Sequence, residues 1–216
     1  MGSVRLYAIA IDEVRDIFRA GDDSGSALRA IAAERFGDPT PPAPGLLGKL
    51  GPVFRRAPDA PVLRPDLPSG SDVDTMLSGR YVPPHRLGAC WILLEAWVDA
   101  LAWGSVGRDC TEAQLDDFDF ALVRAGVPAQ FGLRALLRAP LGIAMLPHPG
   151  TAVGWVSGEH VTTMARAWRP AVPGLEEPGR GVAEAILAWL DLFGLWTAQA
   201  ADAQRQAPDL VAVLHA

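Results

Sequence analysis

Ser3-Val4-Arg5-Leu6-Tyr7-Ala8-Ile9-Ala10-Ile11 and Leu210-Val211-Ala212-Val213-Leu214 stand at the two ends of this 216-residue chain, and their reading decides the fold. Each is a short run with β-branched, aliphatic or aromatic side chains, the composition that suits a pleated, buried strand. Chain ends are held in place when a sheet takes them in, so two terminal strands imply one body closed by both. The sequence between them reads mostly as apolar, tryptophan-bearing helix. The expectation is a single α+β domain over 1–216, with a small sheet containing both terminal strands and packed by several apolar helices.

Working inward from the first strand, Asp12 has the position of an N-cap, and Glu13 to Arg19 places Val14, Ile17 and Phe18 on one helical face. The run Gly21-Asp22-Asp23-Ser24-Gly25 reads as a break, with a second helix from Ala27 to Phe36. From 38 to 70 the pattern collapses: nine of the 19 prolines fall there, which blocks both helix and ladder and marks a Pro-rich loop or insertion. Leu46, Leu47, Leu50, Val53 and Phe54 give that stretch enough apolar character to pack a short helix.

Pro83 and Pro84 introduce a helix over His85 to Trp103, with Leu87, Trp91, Leu94, Val98 and Leu101 as its seam. Thr111-Glu112-Ala113-Gln114 is a capping box opening a helix to Arg124, with Leu115, Phe118, Leu122 and Val123 inward. Ala129 to Arg138 reads as another helix, and 150–156 as a short strand. Ser157 caps a helix to Trp168. The last helix, Val182 to Arg205, carries Val182, Ile186, Trp189, Phe193 and Trp196 on one side. Its only charge from Ala185 to Ala201 is Asp191. An Asp at a bilayer centre costs about 2.5–3.5 kcal/mol, so the seam is read as core-facing rather than membrane-spanning.

Charge and cysteine content narrow the function classes. A net charge of −6 gives no general attraction to phosphate backbones or anionic lipid, so neither nucleic acid nor membrane is an expected partner. Two cysteines, Cys90 and Cys110, are too few for a secreted disulfide framework. Arg5 and Asp12 bracket the only apolar stretch near the start, so no secretory signal is visible, and a cytoplasmic protein is expected. Lys49 is the only lysine, a coding bias of high-GC bacterial genomes such as those of actinobacteria.

Motif searches return little chemistry. Gly45 to Leu50 resembles a phosphate loop with too short a glycine spacing and Leu50 where a hydroxyl is needed. Trp103-Gly104-Ser105-Val106-Gly107 lacks the first glycine of a nucleophile elbow. His85, His148, His160 and His215 show no metal-ligand spacing. The clusters Asp72-Val73-Asp74 and Asp116-Asp117-Phe118-Asp119 read as solvated faces before they read as cation sites. No cofactor and no catalytic residue is therefore assigned.

The one polar pair in an otherwise apolar helix is Glu95 and Asp99, at i and i+4. It is either a narrow wet stripe or the wall of a polar pocket. With Trp91 and Trp103 it forms the candidate pocket for a small-molecule ligand, since two carboxylates in a cleft would drive one pKa upward. Seven tryptophans against two tyrosines supply either aromatic walls or core filling.

Met1-Gly2 before a strand and helix (LYAIAIDEVRDIF), Val153-Gly154-Trp155-Val156-Ser157 before a helix, and the closing helix-then-strand resemble the YfbM-like family of small bacterial proteins. The resemblance covers both ends and about half the chain. It implies an α+β fold and brings no catalytic residue, because that family is itself uncharacterised. The leading expectation is a non-catalytic binding or regulatory protein engaging a protein partner or a second copy of itself. The alternatives are an enzyme or small-molecule binder using the Glu95–Asp99 pocket, and an immunity or antitoxin factor.

Overall fold

Tyr7 lies opposite Val211 at the middle of a four-stranded antiparallel sheet built around the two chain ends. The computed structural model describes residues 2–37 and 66–216. Its strands are β1 (Ser3–Ile9), β2 (Gly104–Asp109), β3 (Thr151–Val156) and β4 (Asp209–His215), in the order β2-β1-β4-β3. The terminal strands pair along their whole length, from Ser3 opposite His215 to Ile9 opposite Asp209. The protein is α+β, and the terminal strands form the centre of its sheet.

Helices cover both faces, which explains why β1 and β4 read as near-continuous apolar runs instead of alternating ones. Side chains of a strand point alternately to opposite faces. Val4, Leu6, Ala8, Leu210, Ala212 and Leu214 enter one core; Tyr7, Ile9, Val211 and Val213 enter the other. The first core is closed by α5 (Glu112–Arg124), α6 (Leu133–Leu136), α7 (Gly158–Trp168), α8 (Gly179–Leu190) and α9 (Phe193–Asp202). The second is closed by α1 (Ile11–Asp16), α2 (Asp22–Phe36), α3 (Gly70–Leu77) and α4 (Leu87–Leu101).

Several boundaries differ from the sequence expectation, each for a local reason. The first strand ends at Ile9, and α1 begins at Ile11 because Asp209, from the other end of the chain, accepts a hydrogen bond from the Ile11 N–H at 3.0 Å. Asp12 is in the first turn, not at the cap. The same carboxylate accepts from the Gly158 N–H (3.2 Å), so it serves two helix starts. Helix α2 runs through the expected Gly-Asp break, and Gly25 is buried within it. The Pro-rich stretch lies outside the described residues up to 65, but its end differs: Ser69 and Asp72 form a capping box that starts α3 at Gly70. The helix expected over His85 to Trp103 is a 3-10 turn at Pro84–Arg86 followed by α4, and Gly104 opens a strand that the sequence reading did not foresee. Ala129 to Arg138 is two short pieces, a 3-10 turn (Ala129–Phe131) and α6. Val123 is exposed on the outer side of α5.

The closing helix bends at Asp191–Leu192 into α8 and α9. Taken together, Gly179–Asp202 is long and apolar enough to cross a membrane, at a mean hydropathy of 1.3. Its inward side is a wall of the first core, through Ile186, Trp189, Phe193 and Trp196. Asp191 pairs with Arg169 at 2.6 Å.

Asp72 is the one polar or charged residue buried among the described residues, at 5% exposure. Arg86 donates to it through Nε (3.0 Å) and Nη2 (2.5 Å), and the Ser69 hydroxyl donates at 2.6 Å. Burial pushes the carboxyl's pKa up, but these donors outweigh it and hold it below the usual value. Removing one partner of a buried pair strands the other. Asp72→Ala is therefore expected to cost about 3–5 kcal/mol in urea unfolding. Asp74→Ala, whose pair with Arg29 is exposed, should cost about 1 kcal/mol or less.

Candidate functional site

Glu95 and Asp99 do share the sheet-facing side of α4, but each is already engaged. Glu95 meets His215 of β4, with Nε2 at 2.9 Å from Oε1 and 3.0 Å from Oε2. Asp99 accepts from Arg35 of α2 (2.8 Å) and from the Ser105 hydroxyl of β2 (3.2 Å). The two carboxylates thus act as ties from the central helix to β4, to α2 and to β2. Tyr7, beneath them, has its phenol pushed up to about 12 by burial, with Glu95 adding to the effect. It stays neutral at physiological pH.

The tryptophans named with that pair do not gather around it. Trp91 sits in the second core at the start of α4, and its indole N–H donates to Leu146 O (3.0 Å). Trp103 lies past the end of α4, packs against the first core, and carries Arg205 over its ring at 4.5 Å. Twelve positions apart on or just beyond one helix, they are separated by about 18 Å. Most of the other indoles are struts. Trp97 donates to Leu28 O (2.8 Å), Trp155 to Pro140 O (3.1 Å) and Trp168 to Phe131 O (2.9 Å). Trp189, Phe193 and Trp196 pack edge-on, with centroids 5.2–5.5 Å apart.

The acidic clusters divide in the same way. Asp119 accepts from the Leu133 and Arg134 N–H groups (2.7 and 2.8 Å) and so caps α6, while Asp116 pairs with Arg134 at 2.7 Å. Burial raises the Asp119 carboxyl in spite of those donors. Among the described residues no three His, Cys, Asp or Glu side chains converge as a metal-ligand set. Burial, with Asp72 alongside, pushes the Cys90 thiol up to about 12. Cys110 is also raised, mainly by burial. Neither is an activated nucleophile.

A cavity lies elsewhere among the described residues, on the first-core side, between α5 and the start of α8. It is an open cleft of about 630 Å³. Val4, Leu115, Phe118, Leu175, Val182 and Ile186 give it an apolar floor, and Cys110 stands in its wall. The cleft exists because small residues line it. Helix α5 and its C-cap offer Ala121 and Ala125, with Gly174 and Gly179 also in the lining. A Cβ placed on Gly174 would touch nothing within 4 Å. Arg108, Arg124, Asp117 and Glu176 stand at the rim, and none of the four has an ion-pair partner among the described residues. Gln114 to Arg124 spans about 15 Å of α5 along this trough.

The sequence reading missed this site. Its strand wall, β2, follows the end of the helix expected over His85 to Trp103 and was not foreseen as a strand, and its emptiness comes from alanines and glycines that carry no motif. Compared with family models, curated proteins and solved structures, the chain matches none of them.

The His215–Glu95 tie has a pH signature. Hydrogen bonding to Glu95 raises the His215 pKa above 6.5, against a smaller opposing effect of burial. A folded pKa above the unfolded one stabilises the fold fully below pH 6.5, and that contribution fades as pH rises through the folded value. Thermal melts of the native chain should therefore lose stability from pH 6.5 upward. Glu95→Gln should remove that part of the pH dependence, and an unchanged slope would refute the assignment.

Proposed function

We propose that this is a non-catalytic binding protein whose cleft between α5 and α8 receives an apolar ligand, or the apolar part of a larger one. The observation that carries this reading is the preformed apolar floor, held open by small residues. Ligand pockets typically run about 300–1,000 Å³ with predominantly apolar linings and a few polar groups. The cleft has that size and that lining. Its rim sets two guanidiniums, Arg108 and Arg124, against two carboxylates, Asp117 and Glu176. That balance favours a neutral or zwitterionic ligand over a polyanion.

The disposition of charge elsewhere supports binding over catalysis. Glu95, Asp99, Asp72 and Asp119 each tie one element to another. The small-molecule alternative thus moves to a different site and changes its chemistry, since the cleft lining holds no tryptophan and neither Glu95 nor Asp99. A role as a regulatory protein is consistent with it, the cleft being the place where a partner or effector acts.

Titration with the neutral fluorophore N-phenyl-1-naphthylamine tests the reading. Saturable enhancement at one probe per chain is the expected result. Ala121→Trp, which fills the trough from α5, should weaken binding by roughly tenfold or more, about 1.4 kcal/mol, with the melting temperature recorded alongside. Absence of saturable binding to the native chain, or equal binding by a folded Ala121→Trp variant, would overturn the proposal.

A further inference from the structure

Of the sheet's two edges, β3 is covered. The Trp155 N–H donates to Ala139 O (3.3 Å), and a Cβ on Gly154 would lie 2.2 Å from Leu136 O, so the 136–139 segment crosses directly against that strand. Among the described residues, nothing covers the β2 edge in this way. The Cys110 N–H donates to Gly2 O (3.0 Å), and the register sets Arg108 opposite Val4 and Val106 opposite Leu6. Antiparallel pairs alternate between hydrogen-bonded and open. Ser105, Gly107 and Asp109 therefore turn their N–H and C=O groups away from β1. All three residues are exposed, and no backbone hydrogen bond joins these groups to another described residue.

The same strand ends in the cleft. Val106 and Arg108 lie on the face of β2 that pairs with Val4 and Leu6, the first-core face. Arg108, Asp109 and Cys110 then form a wall of the cleft. A strand laid along β2 would project every second side chain over that face, toward the apolar floor.

We propose that an extended segment of a partner protein adds to the sheet beside β2 as a fifth strand, with alternate apolar side chains set in the cleft. This rests on the binding reading above and names its ligand as a near-neutral peptide of alternating apolar and polar residues. A row of free peptide groups next to an apolar trough is satisfied by another backbone, which main-chain pairing and side-chain pockets together recognise. A small molecule in the cleft leaves that row unused. A second copy pairing through its own β2 sets Gly104, Ser105 and Gly107 against one another, buries little apolar surface, and leaves the cleft empty.

The test pans a phage-displayed library of random linear dodecapeptides against the full chain, then measures the selected peptide by fluorescence polarisation. Gly107→Pro removes an outward N–H that donates to nothing in the sheet, a position where an edge strand tolerates proline. The expected result is an alternating apolar/polar peptide that loses roughly tenfold or more in affinity on Gly107→Pro, while that variant still binds N-phenyl-1-naphthylamine. N-methylation of every second peptide amide should abolish binding in one phase and spare it in the other, which tests strand addition even where Gly107→Pro fails to fold. Failure to select any peptide, or a peptide indifferent to both changes, would overturn the proposal while fluorophore binding leaves the cleft reading standing. A dimer in light scattering that Gly107→Pro splits would assign the edge to a second copy and overturn it equally. Loss of fluorophore binding by the native chain would remove both readings.

Discussion

The pairing of β1 with β4, in a sheet buried on both faces, is the constraint from which the remaining structure follows. A strand with apolar side chains on both faces needs a layer on each side. The chain supplies those layers in order: α1 to α4 on one face before β2, and α5 to α9 on the other, interrupted by β3. Because β4 is the last element, the central ladder closes only when both ends of the chain are in place. Local contacts alone do not build it, so the sheet couples the two cores into one body.

Polar groups reinforce that coupling at positions far apart in sequence. Asp209 reaches two helix starts, Ile11 and Gly158, on opposite layers. Arg205 donates to Glu13 through two nitrogens at 2.8 Å and to Leu101 O at 2.8 Å, while stacking on Trp103. The tryptophans belong to the same scheme. An indole buries a large apolar area and still has one donor to satisfy, and four of them meet that need at a backbone carbonyl of another segment. Each such contact fixes both the ring and the segment it reaches.

Much of this architecture was legible in the residues. The terminal strands, the capping box at Thr111, the Ser157 cap and the seam of the closing helix each rest on local pattern, and the structure carries them. The miss at β2 has a physical cause. Gly104-Ser105-Val106-Gly107-Arg108-Asp109 has one β-branched residue and two glycines, so no propensity marks it as a strand; its neighbour β1 makes it one. Gly104 is also required by packing, since a Cβ there would lie 2.5 Å from the Trp196 ring. The Glu95–Asp99 pair was visible as a polar stripe, but its partners His215, Arg35 and Ser105 come from three other elements. No spacing rule links them.

By itself the sequence determined that the ends are strands, that the middle is chiefly amphipathic helix, and that the chain has an apolar content suited to one packed body. Periodicity and capping are properties of neighbouring residues, so they can be read in one dimension. Only the tertiary structure decided that the sheet is sandwiched between two helical layers, that no described residue pairs with the outer edge of β2, and that the cleft opens beside Ala121 and Gly174 rather than beside Glu95. Edges and cavities are defined by what fails to meet across space. A gap left between two elements has no residue of its own to announce it.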